Sequence, residues 1–247
     1  MKRFYYFLPL VLILVLIRPV WAQQGSNFVF CQLKYNGRWD PNPTSFGEII
    51  HFLTSTTSIE AELQRREVTL KDKELSSAGF LYLTGTDDFA SFSDEERENL
   101  RRYLTGGGVL LIDDALGQKN FGFDKAIRRE LRQIFSDKKL EKMPPAHVIF
   151  RSYYLLRSVG GRHIISPYLE SLDIDGRTAV IYCRNDLGGA WARDKLGNWL
   201  YPCMPGGEPQ RLEAMKLTAN IIIFSLSGTY KTDKIHEPFI ENKLGSH

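Results

Sequence analysis

Short apolar runs alternate along this chain with segments of helical periodicity, and that alternation restricts the fold more than any other feature. The runs are Asn27 to Leu33 (NFVFCQL), Ala78 to Leu83 (AGFLYL), Val109 to Ile112 and Thr178 to Cys183, with a weaker one at Glu67 to Leu70. Each has the length of a strand and closes on polar or turn residues. Helical stretches lie between them. Pro43 to Leu53 follows the first run, and a helix is expected from Ser93-Asp94-Glu95-Glu96 to about Thr105, with apolar Leu100, Tyr103 and Leu104. Ser93 and Glu96 have the spacing of a capping box. Phe123, Ile127, Leu131 and Ile134 mark a further helix, and Leu212, Met215, Ala219, Ile222 and Leu226 a long closing one. Strands alternating with helices predict an α/β sandwich with a mainly parallel sheet. Ser136 to Asp173 breaks the pattern and reads as an irregular excursion with one or two short elements.

The N-terminus carries a different message. Lys2 and Arg3 precede an uncharged, nearly all-apolar run from Phe4 to Ile17, and Val20-Trp21-Ala22 supplies small residues where a signal peptidase reads. This order predicts a secretory signal over residues 1–22, cleaved near Ala22, and a periplasmic or secreted product. An uncleaved anchor is the competing reading. As a helix the apolar run would reach roughly 21 Å, against a bilayer core of about 30 Å, so membrane contact is expected only if the signal is retained. A single domain is expected over 27–227 and a polar tail over 228–247.

Charge and cysteine content narrow the function. The formal net charge is +3, and Lys2, Arg3 and Arg18 of the signal account for the whole surplus. The remainder is balanced, without the basic excess of a nucleic-acid binder. Cys31, Cys183 and Cys203 form no C-x-x-C pair, which speaks against a metal knuckle or a thioredoxin-like site. Export permits one disulfide, for which Cys183 and Cys203 are the candidates; Cys31 reads as a small buried hydrophobe. No metal or cofactor is expected.

Ligands of open parallel sheets bind beyond the carboxyl ends of the strands. Gly106-Gly107-Gly108 precedes its strand and reads as a helix stop, not a phosphate loop. Four polar clusters do fall at carboxyl ends: Tyr35 to Asp40, Thr84 to Asp88, Asp113-Asp114 and Asn185-Asp186. Asp113 follows four apolar residues, so its carboxylate must find a cation, a metal or backbone donors; capping of the next loop or helix is the plainer account. Arg128 and Arg129 could partner the Asp pair or form a solvated helix face. His147 is either a structural hydrogen-bonder or a general base. Trp39 and Trp191 either stack on a sugar or peptide or anchor loops. The expected rim therefore comprises Tyr35, Arg38, Trp39, Asp40, Asp113, Asp114, His147, Asn185, Asp186 and Trp191. No G-x-S-x-G elbow occurs.

These residues carry a resemblance. Lys34-Tyr35 with Trp39-Asp40-Pro41, Tyr82-Leu83-Thr84-Gly85, Gly107 to Asp114, Arg128-Arg129-Glu130-Leu131, His147-Val148-Ile149-Phe150, Tyr182 with Asn185-Asp186, and Asn220-Ile221 resemble an uncharacterised bacterial domain-of-unknown-function family over about 27–227. That family is similar to the class I glutamine-amidotransferase-like superfamily, which implies a flavodoxin-like three-layer sandwich. In the superfamily's active members a cysteine nucleophile sits on the turn after a glycine-led strand. Here that turn reads Asp113-Asp114-Ala115, and aspartate cannot replace a thiolate in acyl transfer. The expectation is a non-catalytic binding or interaction module of the cell envelope, meeting an envelope protein or a small ligand and not nucleic acid. A carboxylate- or metal-dependent hydrolase and a structural subunit of a membrane-associated complex are the alternatives.

Overall fold

The structure, a computed structural model, describes residues 27–227. The expected signal segment and the polar tail from 228 onward lie outside the described residues. Among those described, no helix is long and apolar enough to cross a membrane.

In chain order the elements are β1 (Cys31–Leu33), α1 (Ser45–Thr56), β2 (Arg66–Val68), β3 (Phe80–Gly85), α2 (Asp94–Thr105), β4 (Val109–Asp114), α3 (Gly122–Ile134), β5 (Glu141–Lys142), β6 (Glu170–Ile174), β7 (Arg177–Cys183), α4 (Leu187–Trp191) and α5 (Gly207–Ser227). The strands form one sheet in the order β2-β1-β3-β4-β7-β6-β5. The first five in that order run parallel. β6 is antiparallel to β7, and β5 to β6.

Period-two alternation sorts the strand side chains into two cores. Phe80, Tyr82, Val109, Leu111, Ile181 and Cys183 face one side, where Ile49 and Leu53 of α1, Ala190 of α4 and Leu217 and Ile221 of α5 cover them. Leu81, Leu83, Leu110, Ile112, Val180 and Tyr182 face the other, under Leu100 and Leu104 of α2 and Phe123, Ile127 and Leu131 of α3. The result is a helix–sheet–helix arrangement, and the central strands read as unbroken apolar runs because both faces are covered. Each large aliphatic side chain so buried contributes about 1.5–3 kcal/mol.

Local signals act as expected at α2. Ser93 Oγ accepts from the Glu96 amide at 3.3 Å, and the Glu96 carboxylate accepts from the Ser93 amide at 2.8 Å. Gly107, at φ +114°, turns the chain out of the helix and toward β4, a conformation that glycine adopts without steric cost.

Several expectations need correction. The first strand is confined to Cys31–Leu33, although Phe28 makes an isolated parallel bridge to Ala61. Pro43 lies before α1, which starts at Ser45. The excursion from Ser136 to Asp173 contains β5, a 3₁₀ turn at Val148–Arg151 and all but the last residue of β6. β6 and β7 then form a hairpin through Asp175 (φ +52°) and Gly176 (φ +76°). An Asp-Gly pair supplies the two positive φ angles of a type I′ turn. Cys31, Cys183 and Cys203 are all free and buried, so the expected Cys183–Cys203 bridge is absent.

Candidate functional site

The chain leaves β1 toward β2 on one side and returns across it to β3 on the other, so the direction of winding reverses between β1 and β3. Loops diverge at such a point and leave a crevice beyond the strands' carboxyl ends. A crevice of about 390 Å³ opens there, lined by Arg38, Asp40, Pro41 and Asn42 after β1, Thr86 after β3, Ala115 after β4, Asp186 after β7, and Arg162 and Tyr201 from two further loops.

Asp113 and Asp114 end β4 and, as consecutive strand residues, point to opposite faces of the sheet. Asp113 turns toward α4, where its carboxylate accepts from the amides of Leu187 (2.8 Å) and Gly188 (2.7 Å) and from Tyr82 Oη (2.8 Å). Asp114 turns toward α3 and accepts from the amides of Leu116 and Gly117, both at 2.9 Å, and from Tyr182 Oη at 3.3 Å. Tyr182 Oη also donates to Asp124 at 2.7 Å. Both acids are fully buried. Burial, and next the charge of Asp186, push the Asp113 carboxyl well above the usual carboxylate range, against the pull of its hydrogen bonds. Burial raises Asp114 to about 6. Backbone donors thus meet the need that each buried carboxylate creates. The two carboxyls share no hydrogen-bond partner and face opposite sides of the sheet.

Asp186 adopts the left-handed conformation (φ +54°) as N-cap of α4. Its carboxylate accepts from the Gly189 amide and Asn42 Nδ2, both at 2.9 Å, and from Arg162 Nε. A Cβ at Gly189 would overlap that carboxylate and lie 2.8 Å from Arg162 Nε. Burial raises the Asp186 carboxyl, and Arg162 opposes the rise.

The other expected residues divide. Arg38 is exposed, with an ion pair to Asp87 at 3.9 Å as its one salt bridge among the described residues. Asp40 pairs with Arg65 at 2.6 Å and accepts from Gln32 at 3.3 Å. Tyr35 holds loops together: its hydroxyl donates to the Thr84 carbonyl at 3.1 Å and its ring lies 4.6 Å from that of Phe89. Trp39 carries Lys34 at 5.4 Å and Arg65 at 5.3 Å. Asn185 is fully buried and clasps the 159–166 segment. Its Oδ1 accepts from the amides of Ile165 (3.0 Å) and Ser166 (2.9 Å), and its Nδ2 donates to the Ser166 carbonyl at 2.8 Å.

Three expectations are corrected here. His147 meets Thr178 Oγ1 at 3.1 Å and accepts from the Ile149 amide at 3.2 Å. Thr178 lies near the amino end of β7, the opposite end of the strand from Asn185, so His147 does not belong to the rim. Trp191 is buried in the core, with its indole N–H on Thr218 Oγ1 at 3.1 Å and its ring edge-on to Phe52. It faces inward from α4 and offers no stacking platform. Arg128 pairs with Asp124 and Glu170, and Arg129 with Asp88 and Glu130, so neither partners Asp113 or Asp114.

Arg162, Asn42 and Tyr201 complete the crevice and were not singled out by sequence. For Arg162 the one sign was the preceding Gly160-Gly161: a Cβ at Gly160 would lie 2.7 Å from Ala214 Cα, so the segment runs tight against α5.

The valences of the crevice are unequal. Each carboxylate oxygen of Asp40 and Asp186 already accepts a hydrogen bond. The open groups are donors: Arg162 bonds Asp186 through Nε and the Ala115 carbonyl through Nη2 (3.3 Å), which leaves Nη1 free of hydrogen bonds among the described residues. Thr86 Oγ1 is buried without a partner. Among the described residues no group of three or more His, Cys, Asp or Glu is placed to hold a metal. Cys183 is buried at the end of β7, and burial pushes its thiol well above the usual range, away from a nucleophilic thiolate.

Fold and crevice together define a mixed α/β domain, mostly parallel in its sheet, with a polar cleft beyond the strands' carboxyl ends. A family profile described as a domain of unknown function (DUF4159) matches residues 29–226, and the chain belongs to that family. No curated protein matches the chain.

Proposed function

We propose that this chain is a non-catalytic binding or interaction module of the cell envelope, exported through residues 1–22 and working through the crevice around Arg38, Thr86 and Arg162. The observation that carries the reading is the state of its valences. Asp40, Asp113, Asp114 and Asp186 are each held by amides, hydroxyls or arginines, while Arg162 Nη1 and Thr86 Oγ1 stay without a partner among the described residues. A hydrolase needs a free base or nucleophile, and the acids that would serve are held as structural caps. The partner is an envelope protein or a small ligand. A flavodoxin-like, glutamine-amidotransferase-like class is the finer fold assignment, supported by the order β2-β1-β3-β4-β7, which matches the doubly wound 2-1-3-4-5 arrangement.

Two measurements test this. N-terminal sequencing of the protein recovered from the host's envelope fraction is expected to begin at Gln23; a chain that keeps Met1 and stays in the cytosol overturns export. Turnover of chromogenic ester, phosphate or glycoside probes is expected to stay at background. Turnover that is abolished by Arg162→Ala in a folded protein overturns the non-catalytic reading.

A further inference from the structure

We propose that the crevice seats a carboxylate side chain, Asp or Glu, from a segment of a partner protein whose neighbouring residues are apolar. This rests on the reading of the chain as a binding module and names the chemistry of what is bound. Unpartnered donors line the crevice while each carboxylate oxygen of Asp40 and Asp186 already accepts a hydrogen bond, so an acceptor is the complementary group. Arg38 is held by one long, exposed ion pair, a contact of little energetic weight. Arg162 Nη1 and the buried Thr86 Oγ1 have no partner among the described residues.

Charge disfavours a dianion. Arg38 and Arg162 share the lining with Asp40 and Asp186, so the formal charges balance and a dianionic phosphate would sit against two carboxylates. A single carboxylate suits the fork of a guanidinium. Sugar stacking has no open platform here: Trp39 carries Lys34 and Arg65, Trp199 carries Arg193 and Arg211, and Tyr201 carries Arg162 at 4.8 Å.

The mouth of the crevice points to a protein segment. Exposed Phe121, Ile164, Ile165, Leu200 and Met204 lie on the three loops that surround it. Their adjacency is direct. A Cβ at Gly117 would lie 2.7 Å from Ile165, one at Gly122 would lie 2.7 Å from the Thr86 carbonyl, and the Met204 amide donates to the Arg162 carbonyl at 2.8 Å. Exposed apolar side chains on loops that also supply an arginine and a tyrosine have the composition of a protein-recognition patch.

The test is selection of a random heptapeptide display library on the whole chain. Enriched peptides are expected to carry Asp or Glu between apolar residues. A synthetic copy of an enriched peptide is expected to bind about tenfold more weakly to Arg38→Glu, to Ile165→Asp, and when its acid is changed to the amide. Lys138→Glu, away from the crevice, is expected to leave binding intact. Arg38 and Ile165 are exposed and Lys138 is half-buried, and matching thermal melts establish that the variants fold. No enrichment, enrichment without an acid, or binding indifferent to Arg38→Glu overturns the proposal. Absent peptide enrichment with thermal stabilisation by small organic carboxylates such as succinate removes the peptide occupant and leaves the binding module standing. Probe turnover that Arg162→Ala abolishes in a folded protein removes both.

Discussion

Asp113 and Asp186 grip the first turn of the same five-residue helix from the ends of adjacent strands. Asp113, on β4, takes the amides of Leu187 and Gly188, and Asp186, after β7, takes that of Gly189. A helix so short has little stability of its own, and its first-turn amides would otherwise go unpaired in the interior. The two carboxylates hold α4 in place, and with it Trp191 in the core and Arg162 at the crevice.

Removing the Asp113 grip is therefore expected to cost stability. Asp113→Ala strands two buried amides and the Tyr82 hydroxyl, each at about 1–3 kcal/mol, partly offset because a buried carboxylate is also removed. Urea denaturation is expected to show a net loss of about 3 kcal/mol. A loss below about 1 kcal/mol would contradict the role.

Stability is expected to fall as pH rises from about 4 to beyond 6. Asp113 and Asp114 both have carboxyls raised by burial, Asp114 to about 6. A raised acid binds its proton more tightly in the folded state than in the unfolded one. Its contribution is thus full below the unfolded value near 4 and lost as pH passes the folded value. Chemical denaturation at pH 5 and pH 8 is expected to differ by on the order of a few kcal/mol in favour of pH 5. Equal or greater stability at pH 8 would refute it.

Asn185→Ala is expected to loosen the segment that carries Arg162. The substitution leaves the buried Ser166 amide and carbonyl and the Ile165 amide unpaired, worth about 2 kcal/mol. Hydrogen exchange at Ile165 and Ser166 is expected to accelerate while exchange in β3 and β4 changes little. Unchanged protection at those two amides would exclude the clasp.

Thiol chemistry checks the absence of a disulfide. Cys31, Cys183 and Cys203 are buried and free, and burial raises the thiol of each. The native protein is expected to resist a thiol-specific reagent, and the denatured protein to react at all three without prior reduction. Denatured protein with a single reactive thiol would restore the bridge.

The layered fold was legible because its signals are local. Apolar runs and the Ser93–Glu96 box depend on residues a few positions apart, and both appear where expected. The Asp-Gly signal at Asp175-Gly176 was equally local, but it sat at the border of the irregular stretch and passed unread. For Asp113 the requirement was legible and the provider was not, because Leu187 and Gly188 lie far along the chain. That Asp113 and Asp114 cannot act together follows from strand alternation once β4 is known to run through both. His147 and Trp191 were misplaced because their orientation depends on a 3₁₀ turn and a five-residue helix, elements too short for periodicity to reveal. Arg162 reaches its site through contacts with Asp186, Ala115, Tyr201 and Met204, which no sequence pattern encodes.

The sheet ends on one side at the two residues of β5, Glu141–Lys142, and on the other at the three of β2, which begins Arg66-Glu67. Borders this short and this charged offer an incoming strand few amides to pair with and no apolar strip to lie against. Copies of this sheet pressed edge to edge at high concentration therefore meet little to pair with among the described residues. The apolar side chains around the crevice can stay exposed for a partner without seeding aggregation through the sheet.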